Sequence, residues 1–534
     1  VKSRHRTRIE QRMNGHLATK IQYGIAALLA LAAIAVPDLP ATAAQHHTID
    51  LEAVDQVVTD GLDRTGIPGA AIAITRGDQV LHVRGYGHGS DGMPVTEHTP
   101  FRIASLSKAI TSLAVMQLVD AGQLALDDTV YAHLSEFRIA DPRGADITIR
   151  QLLNQTSGLA DRRVPDISRP QPATLAEATA SLCSARLVAD PGTEFNYHNP
   201  NYQVAARLIE VISGEAFDDY LRDHVFHPAG MMETLDTAAD NKPVAGLTNG
   251  HILAFGQPIA TPAPGHFVEG AGGVVSTAAD MAQWLILQTG GGLTANGTRL
   301  LSAESMAQMH TSNGQSGYAL GWSAYRPEAA PARLQHTGNL LTFSAATAIL
   351  PDSRIGVTLM FNGSAGLLLE QTAIFHEVLN IIEGGHPDPG ALPISGRLLD
   401  SVVAVLAFTV ILLAAQGVAA SRRWAARAAR SPVLAAARLL PLLGVLVLVA
   451  SLPKLAGWFL DGRDFDWATI VYSWPTMAGL AAFIALAAAV TLSARAWHLD
   501  AIAPHRRSDR FVQEPARVSS ARPDSTRQPQ RISA

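Results

Sequence analysis

The sequence predicts an α+β domain with an inserted helical lobe, followed by three transmembrane helices. Strand-like runs lie at both ends of residues 45–390, and the stretch between them is mostly helical in pattern, which is the element order of α+β domains. The composition is 48% hydrophobic and 16% charged over 534 residues, enough apolar material for a large core, and the net charge of −5 is too small for whole-chain disorder. Near the C-terminus three apolar stretches, residues 402–420, 433–452 and 470–492, each approach the ~20 residues that span a bilayer.

Taken in order, Arg4, Arg6, Arg8, Arg12 and Lys20 precede an apolar run over residues 24–36. Pro37 and Pro40 break the run, and Ala41-Thr42-Ala43-Ala44 follow. A basic region, a short apolar region and an Ala-x-Ala-like site are the parts of a secretory signal, so residues 1–44 are assigned as a signal peptide, with an N-terminal anchor as the alternative. Val1 is an odd initiator, and starting at Met13 would preserve the signal. Residues 45–383 form the mixed domain. Two strands, 70–75 and 80–84, are joined by Arg76-Gly77-Asp78, a hairpin signal. A helix over 106–121 ends at Gly122, and further helices cover 149–154, 202–212 and 278–288. Strands over 318–325, 341–350 and 355–361 and a closing helix over 367–382 complete the domain. The single cysteine, Cys183, excludes an intrachain disulfide and reads as a small buried hydrophobe.

A linker, 384–397, leads to the three spans (398–492) and a basic tail (493–534), read as disordered. Between the first two spans lie Arg422, Arg423, Arg427 and Arg430 and no acid. Between the last two, Asp461, Asp464 and Asp466 face Lys454 and Arg463. By the positive-inside rule the first loop and the tail are cytoplasmic and the mixed domain is extracytoplasmic, the side to which the signal would deliver it. Pro441 and Pro475 fall inside spans. No Asp, Glu or His lies deep within a span, so the three read as an anchor in the lipid bilayer rather than a transport path. The basic ends leave about −17 on residues 45–390, which argues against nucleic acid as a partner.

Three motifs carry chemistry. In Ser105-Leu106-Ser107-Lys108 the lysine returns to the serine's face one helical turn on, and the helix start offers N–H groups to an oxyanion. A serine hydroxyl needs a base, and a lysine whose pKa is lowered can serve. In Tyr197-His198-Asn199, on a turn, a phenol beside an ammonium loses its proton more easily and can exchange one with serine, while Asn199 can hold an amide or ester. In His336-Thr337-Gly338, just before a strand, Gly338 allows close approach to the backbone, and an N–H near Asn339 can complete an oxyanion hole with that of Ser105. Other signals are set aside. Gly87-His88-Gly89-Ser90-Asp91-Gly92 runs into Met93-Pro94 rather than a helix, so it is a turn and not a dinucleotide site. There is no Gly-x-Ser-x-Gly elbow, and the histidines lack metal-ligand spacing. Asn154-Gln155-Thr156 reads as a helix-end hydrogen bond rather than a glycosylation site.

Together, in this order and with these separations, the three motifs resemble those of the serine β-lactamase and penicillin-binding superfamily. The closer match is the class C β-lactamase-like branch with its esterase and D-peptidase relatives, which use Tyr-x-Asn as the middle motif. Phe101-Arg102-Ile103-Ala104, Leu153-Asn154-Gln155-Thr156-Ser157-Gly158-Leu159, Pro191-Gly192-Thr193, Gly272-Gly273-Val274-Val275-Ser276-Thr277 and Asp280-Met281-Ala282 agree. The resemblance covers about residues 50–382. It implies an antiparallel sheet flanked by helices plus a helical lobe, with the active site in the cleft between them. Ser105 would be the nucleophile, Lys108 and Tyr197 the proton-transfer pair, and Asn199 the group that positions the scissile bond. His336, Thr337, Gly338 and Asn339 would form the far wall, and no metal or organic cofactor is implied. The departure is His336, where β-lactamases and transpeptidases usually place lysine; a histidine is largely neutral at pH 7.

The expected function is therefore a membrane-anchored serine hydrolase, acting through a Ser105 acyl-enzyme on an ester or a small, possibly wall-derived peptide outside the cytoplasmic membrane. The alternatives are a β-lactamase or D-Ala-D-Ala carboxypeptidase and, from another class, a catalytically silent cell-envelope binding or sensor domain.

Overall fold

The structure is a computed structural model that describes residues 48–312, 316–325, 332–364, 370–386, 396–429, 431–460 and 462–512. The signal assigned to residues 1–44, the start of the closing helix, most of the linker and the end of the tail lie outside the described residues.

The chain opens with α1 (Leu51–Thr65), whose first turn is capped by the Asp50 carboxylate accepting from the Ala53 N–H at 3.0 Å. The hairpin β1 (Gly69–Arg76) and β2 (Gln79–Gly87) follows, then the two-residue strand β3 (Phe101–Arg102). Next come α2 (Ser107–Asp120), α3 (Ile149–Leu153) and α4 (Pro200–Ser213). After them the short β4 (Val275–Ser276) pairs with β3 and leads into α5 (Ala278–Thr289). The domain ends with β5 (Ser323–Tyr325), β6 (Arg333–Asn339), β7 (Ser344–Leu350), β8 (Ile355–Phe361) and α6 (Glu370–Ile382).

Six strands make one antiparallel sheet in the order β2-β1-β8-β7-β6-β5, so the first hairpin pairs with a strand nearly 300 residues later, Ala70 opposite Phe361. The alternation of β1 builds both sides of this sheet. Ala70, Ile72 and Ile74 join Val54, Val58, Ile374 and Val378 of α1 and α6 in one core. Ala71 and Ala73 turn to the other core, with α2, α4 and α5. The helical lobe is the stretch between β3 and β4. Helix α2 is buried nearly all round, so its polar residues must find protein partners.

The strands and helices expected from the sequence are present, with differences that have physical causes. The run 318–325 is a strand only over Ser323–Tyr325, because Ala319 and Trp322 close a tight turn first. The strand expected over 341–350 starts at Ser344, and a separate strand, β6, carries His336. Burial alternates along β6 at Leu334, His336 and Gly338, but only one of these is a large apolar residue, so the period-2 signal is muted. Cys183 is exposed rather than buried, since its 3₁₀ turn (Ser181–Ser184) directs the neighbouring Leu182 inward instead.

The C-terminal region is helical: α7 (Gly396–Ala419), α8 (Ser421–Ala428), α9 (Pro432–Ala450), α10 (Leu452–Phe459), α11 (Trp467–Ser473) and α12 (Pro475–Val512). Among the described residues two helices, α7 and the Pro475–Ala501 part of α12, are long and apolar enough to cross a membrane; α9 and α10 reach that length only as a pair bent by 59°. Two or three candidate spans result among the described residues, against the three expected. Pro441 is inside α9 as expected, whereas Pro475 begins α12, where its missing N–H costs nothing. Residues 493–512, expected to be disordered tail, continue α12.

Candidate active site

Ser105 sits on a 3₁₀ turn (Ala104–Leu106) that runs directly into α2. The residue before it, Ala104, has φ +52°, a left-handed conformation that costs an alanine on the order of 1–3 kcal/mol. The turn is held by its neighbours: the Ile103 N–H donates to the Val274 carbonyl (3.1 Å), and the Ser107 hydroxyl donates to the Ala104 carbonyl (2.7 Å) while accepting from the Val274 N–H (3.1 Å). The second serine of the motif is thus a brace, and Ser105 is left half-buried at the cleft.

Lys108, one turn along α2, is completely buried. Its Nζ reaches Ser105 Oγ (3.0 Å), Asn199 Oδ1 (2.9 Å) and the Ala271 carbonyl (2.7 Å). Asn199 is oriented by its own Nδ2 donating to Asp166 Oδ2 (2.7 Å), which fixes its oxygen toward Lys108. Burial, and then the charge of Arg463, push the Lys108 ammonium well below the ordinary lysine range. Two of its three partners can only accept, whereas the Ser105 hydroxyl can also donate. Once it has lost its proton, Lys108 can therefore give its N–H groups to Asn199 and Ala271 and turn its lone pair to Ser105.

The Tyr197 hydroxyl donates to Ser105 Oγ at 2.8 Å. Burial raises its pKa to about 12, with the Ser105 hydrogen bond and the Arg463 charge opposing. Against the expectation that a phenol beside an ammonium loses its proton more easily stands this desolvation, which disfavours phenolate and ammonium alike. The Tyr197 O–H and the Lys108 nitrogen thus both face the Ser105 oxygen.

The far wall is β6. Its Gly338 lies so close to the Ser105 turn that an added Cβ would fall 2.5 Å from the Ile103 carbonyl oxygen and 3.0 Å from the Ser105 nitrogen. This close approach sets the strand backbone beside the Ser105 amide, as an oxyanion hole requires. Thr337 and Asn339 are exposed to the cleft. The Asn339 side chain is engaged locally, donating to Ser364 Oγ (2.9 Å) and accepting from the Leu341 N–H (2.8 Å). His336 is buried; its Nδ1 lies 2.8 Å from the Thr337 carbonyl and its Nε2 2.9 Å from the Tyr318 hydroxyl. The carbonyl fixes the proton on Nδ1, so Nε2 accepts from Tyr318. Burial, and secondarily Lys108, lower its pKa to about 4, so it presents no cation to the cleft at neutral pH.

Ser105, Tyr197, Asn199 and β6 line a cleft of about 490 Å³, with Lys108 buried behind Ser105, and the apolar side of the cleft is formed by Phe195, Phe267, Leu340 and Leu341. All eight residues singled out from the sequence converge here. Three that were not singled out also matter: Tyr318, which packs edge-on against Tyr197 (6.3 Å) and His336 (5.8 Å), Asp161, which binds His198 Nδ1 at 2.7 Å behind the Tyr197–Asn199 turn, and Arg463. Tyr318 belonged to a run read only as a strand. Asp161 and Arg463 lie in loops, and their pairing across 300 residues leaves no local pattern. Among the described residues no three His, Cys, Asp or Glu side chains are grouped to hold a metal.

Residues 54–375 match the family model described as Beta-lactamase. The chain belongs to the serine β-lactamase and penicillin-binding superfamily. It is similar to penicillin-binding protein 4 of Amycolatopsis lactamdurans, with 31% identity over 359 residues, 64% of this chain and 93% of the relative. Among solved structures it is similar to the octameric penicillin-binding protein homologue from Pyrococcus abyssi (TM-score 0.55, 23% identity, covering 67% of this chain and 82% of that one). It is also similar to EstCE1, a hydrolase with promiscuous acyltransferase activity (TM-score 0.50, 24% identity, covering 62% of this chain and 98% of that one). Both structural likenesses concern the fold. The family match ends before α7, so the apolar helices are an addition to the superfamily domain.

Proposed function

We propose that this protein is a membrane-anchored serine hydrolase that forms an acyl-enzyme at Ser105 on an ester or small peptide outside the cytoplasmic membrane. The observation that carries the reading is the continuous relay from Tyr197 through Ser105 to Lys108 and Asn199, with spacings of 2.8, 3.0 and 2.9 Å. In this reading Ser105 Oγ attacks the acyl carbon as its proton passes to the Lys108 amine. Charge on the acyl oxygen is met by the Ser105 N–H and the β6 backbone. As the bond to the leaving group breaks, the Tyr197 hydroxyl protonates it, and the proton that Lys108 took from Ser105 passes to the Tyr197 oxygen, which restores the phenol and the neutral amine. Water then takes the leaving group's place, giving its proton to the relay and its oxygen to the acyl carbon, which frees Ser105.

A neutral, buried His336 favours uncharged acyl groups at β6 over the carboxylate of a β-lactam or a D-Ala-D-Ala terminus. The resemblance to a protein named penicillin-binding protein 4 keeps the lactam reading as the alternative. The membrane side is supported by charge: the loop before α11, assigned to the outer side by its acids, is the one that touches the catalytic domain. The experiment is paired turnover of a chromogenic short-chain ester and a chromogenic cephalosporin by the full chain in detergent. Ester hydrolysis without lactam hydrolysis, abolished by Ser105→Ala with no change in melting temperature, is the expected result. Efficient lactam turnover would replace the substrate assignment, and activity surviving Ser105→Ala would overturn the mechanism.

A further inference from the structure

The segment Gly462–Asp466, between α10 and α11, does not stop at the apolar helices. It reaches into the catalytic cleft. Arg463 lines that cleft, and among the described residues it is the only lysine or arginine that does. Its guanidinium carbon lies 5.1 Å from the centre of the Tyr197 ring, and Lys108 Nζ lies 4.9 Å from the same centre. Its Nε pairs with Asp161 Oδ2 at 2.8 Å, and the other Asp161 oxygen binds His198, the residue between Tyr197 and Asn199. The Asp161 side chain is 1% exposed, so Arg463 is the permanent cation that balances a buried carboxylate directly behind the catalytic turn.

The next residue fastens the segment. Asp464 Oδ2 accepts from the Ile167 (2.8 Å) and Ser168 (2.6 Å) N–H groups, its Oδ1 accepts from the Ser168 hydroxyl (2.8 Å), and its own N–H donates to Asp161 (3.0 Å). Residues 167–168 adjoin Asp166, the carboxylate that orients Asn199. Two consecutive residues of one short loop thus hold both acidic supports of the Tyr197–Asn199 turn.

We propose that this loop of the apolar C-terminal region is a wall of the active site, and that Arg463 is a positioning residue acting through Tyr197 and Lys108. The proposal rests on the Ser105 hydrolase reading. The groups facing Lys108 and Tyr197 are Arg463, Asp161, Asp166, His198, His336, Tyr202 and Tyr318. Arg463 is the fixed positive charge among them. It disfavours a second positive charge on Lys108 and so keeps the amine available as a base, while Asp161 and Asp166 pull the other way. Catalytic competence then depends on how the apolar helices present this loop, which gives them a role beyond anchoring.

The test uses the full chain in detergent with a chromogenic short-chain ester as probe. Arg463→Gln is expected to lower kcat at least about tenfold with a smaller change in KM, and to move the acid limb of kcat/KM upward by roughly one pH unit. Arg463→Lys should restore most of both. Because Arg463→Gln leaves Asp161 unpaired, the pair Asp161→Asn with Arg463→Gln is made as well; it buries no orphan charge, and its acid limb should return toward that of wild type while kcat stays low. A folded single or double variant with wild-type kcat and acid limb overturns the proposal and leaves the hydrolase reading standing. Wild-type activity that does not depend on Ser105 fails the hydrolase reading itself.

Discussion

Lys108 is fully buried, and a buried ammonium is strongly disfavoured unless paired with a carboxylate. No carboxylate is in hydrogen-bond reach; the nearest acids act through Asn199 and His198. This placement makes a sign-definite prediction. The active form carries neutral Lys108, whose fraction grows as pH rises through its lowered pKa, so kcat/KM should rise with pH to a plateau well below the ordinary lysine range. It should fall again only toward the Tyr197 value of about 12. Steady-state pH profiles check this, and Lys108→Arg, a permanent cation in the same place, should be inactive across the range. Tyr197→Phe keeps the ring packing and removes only the proton donor; a loss of about 10²–10⁴-fold in kcat with unchanged melting temperature is expected. At this scale the sequence was informative because each chemical group has a fixed spacing. What it did not convey was environment: whether Tyr197 ionises is decided by burial from segments hundreds of residues away.

Elements explain why some site residues were legible and others were not. Helix α2 announced itself by an apolar run closed by Gly122, which adopts φ +67° in the structure. Strand β6 did not, because its inward positions are occupied by His336 and Gly338 for the site's sake rather than by apolar residues. The constraint at Gly338 is steric. Gly338→Ala must push β6 from the nucleophile turn, since the obstacle is backbone, and is expected to lower ester turnover more than tenfold; Thr337→Ala, on the exposed side of the same strand, is expected to cost far less. Side-by-side kinetics of the two variants check this. Cys183, exposed on its 3₁₀ turn, should react with a maleimide in the native protein without loss of turnover.

At the scale of the molecule, the catalytic domain and the apolar helices are joined by buried polar contacts as well as by the linker. Asp400, near the start of α7 and 5% exposed, accepts from the Phe255 N–H (2.6 Å), from Trp474 Nε1 (3.2 Å) and from the Thr476 hydroxyl. None of this was legible in the sequence, since a lone aspartate at the edge of an apolar run reads as an interface residue. Acid should weaken the whole structure through its half-buried and buried histidines. His310, like His336, has its pKa lowered to about 4 by burial, against 6.5 when exposed. Between those values the unfolded chain binds the proton and the folded one does not, so stability present above pH 6.5 is lost as pH falls toward 4, on the order of 3 kcal/mol for each histidine. Buried acids such as Glu269, raised to about 7, act in the opposite sense, so the readout is the difference between wild type and His310→Gln. Denaturation midpoints at pH 7 and 4.5 should show the variant losing less.

The central claim is a covalent intermediate on one named oxygen. The full chain would be mixed with a short-chain ester, quenched in acid during turnover, digested and analysed by peptide mass spectrometry. An acyl group on the peptide containing Ser105, absent in Ser105→Ala and accumulating in step with the first leaving-group release, is the predicted result. Turnover with the acyl group on another residue, or with Ser105 unmodified at every quench time, would contradict it.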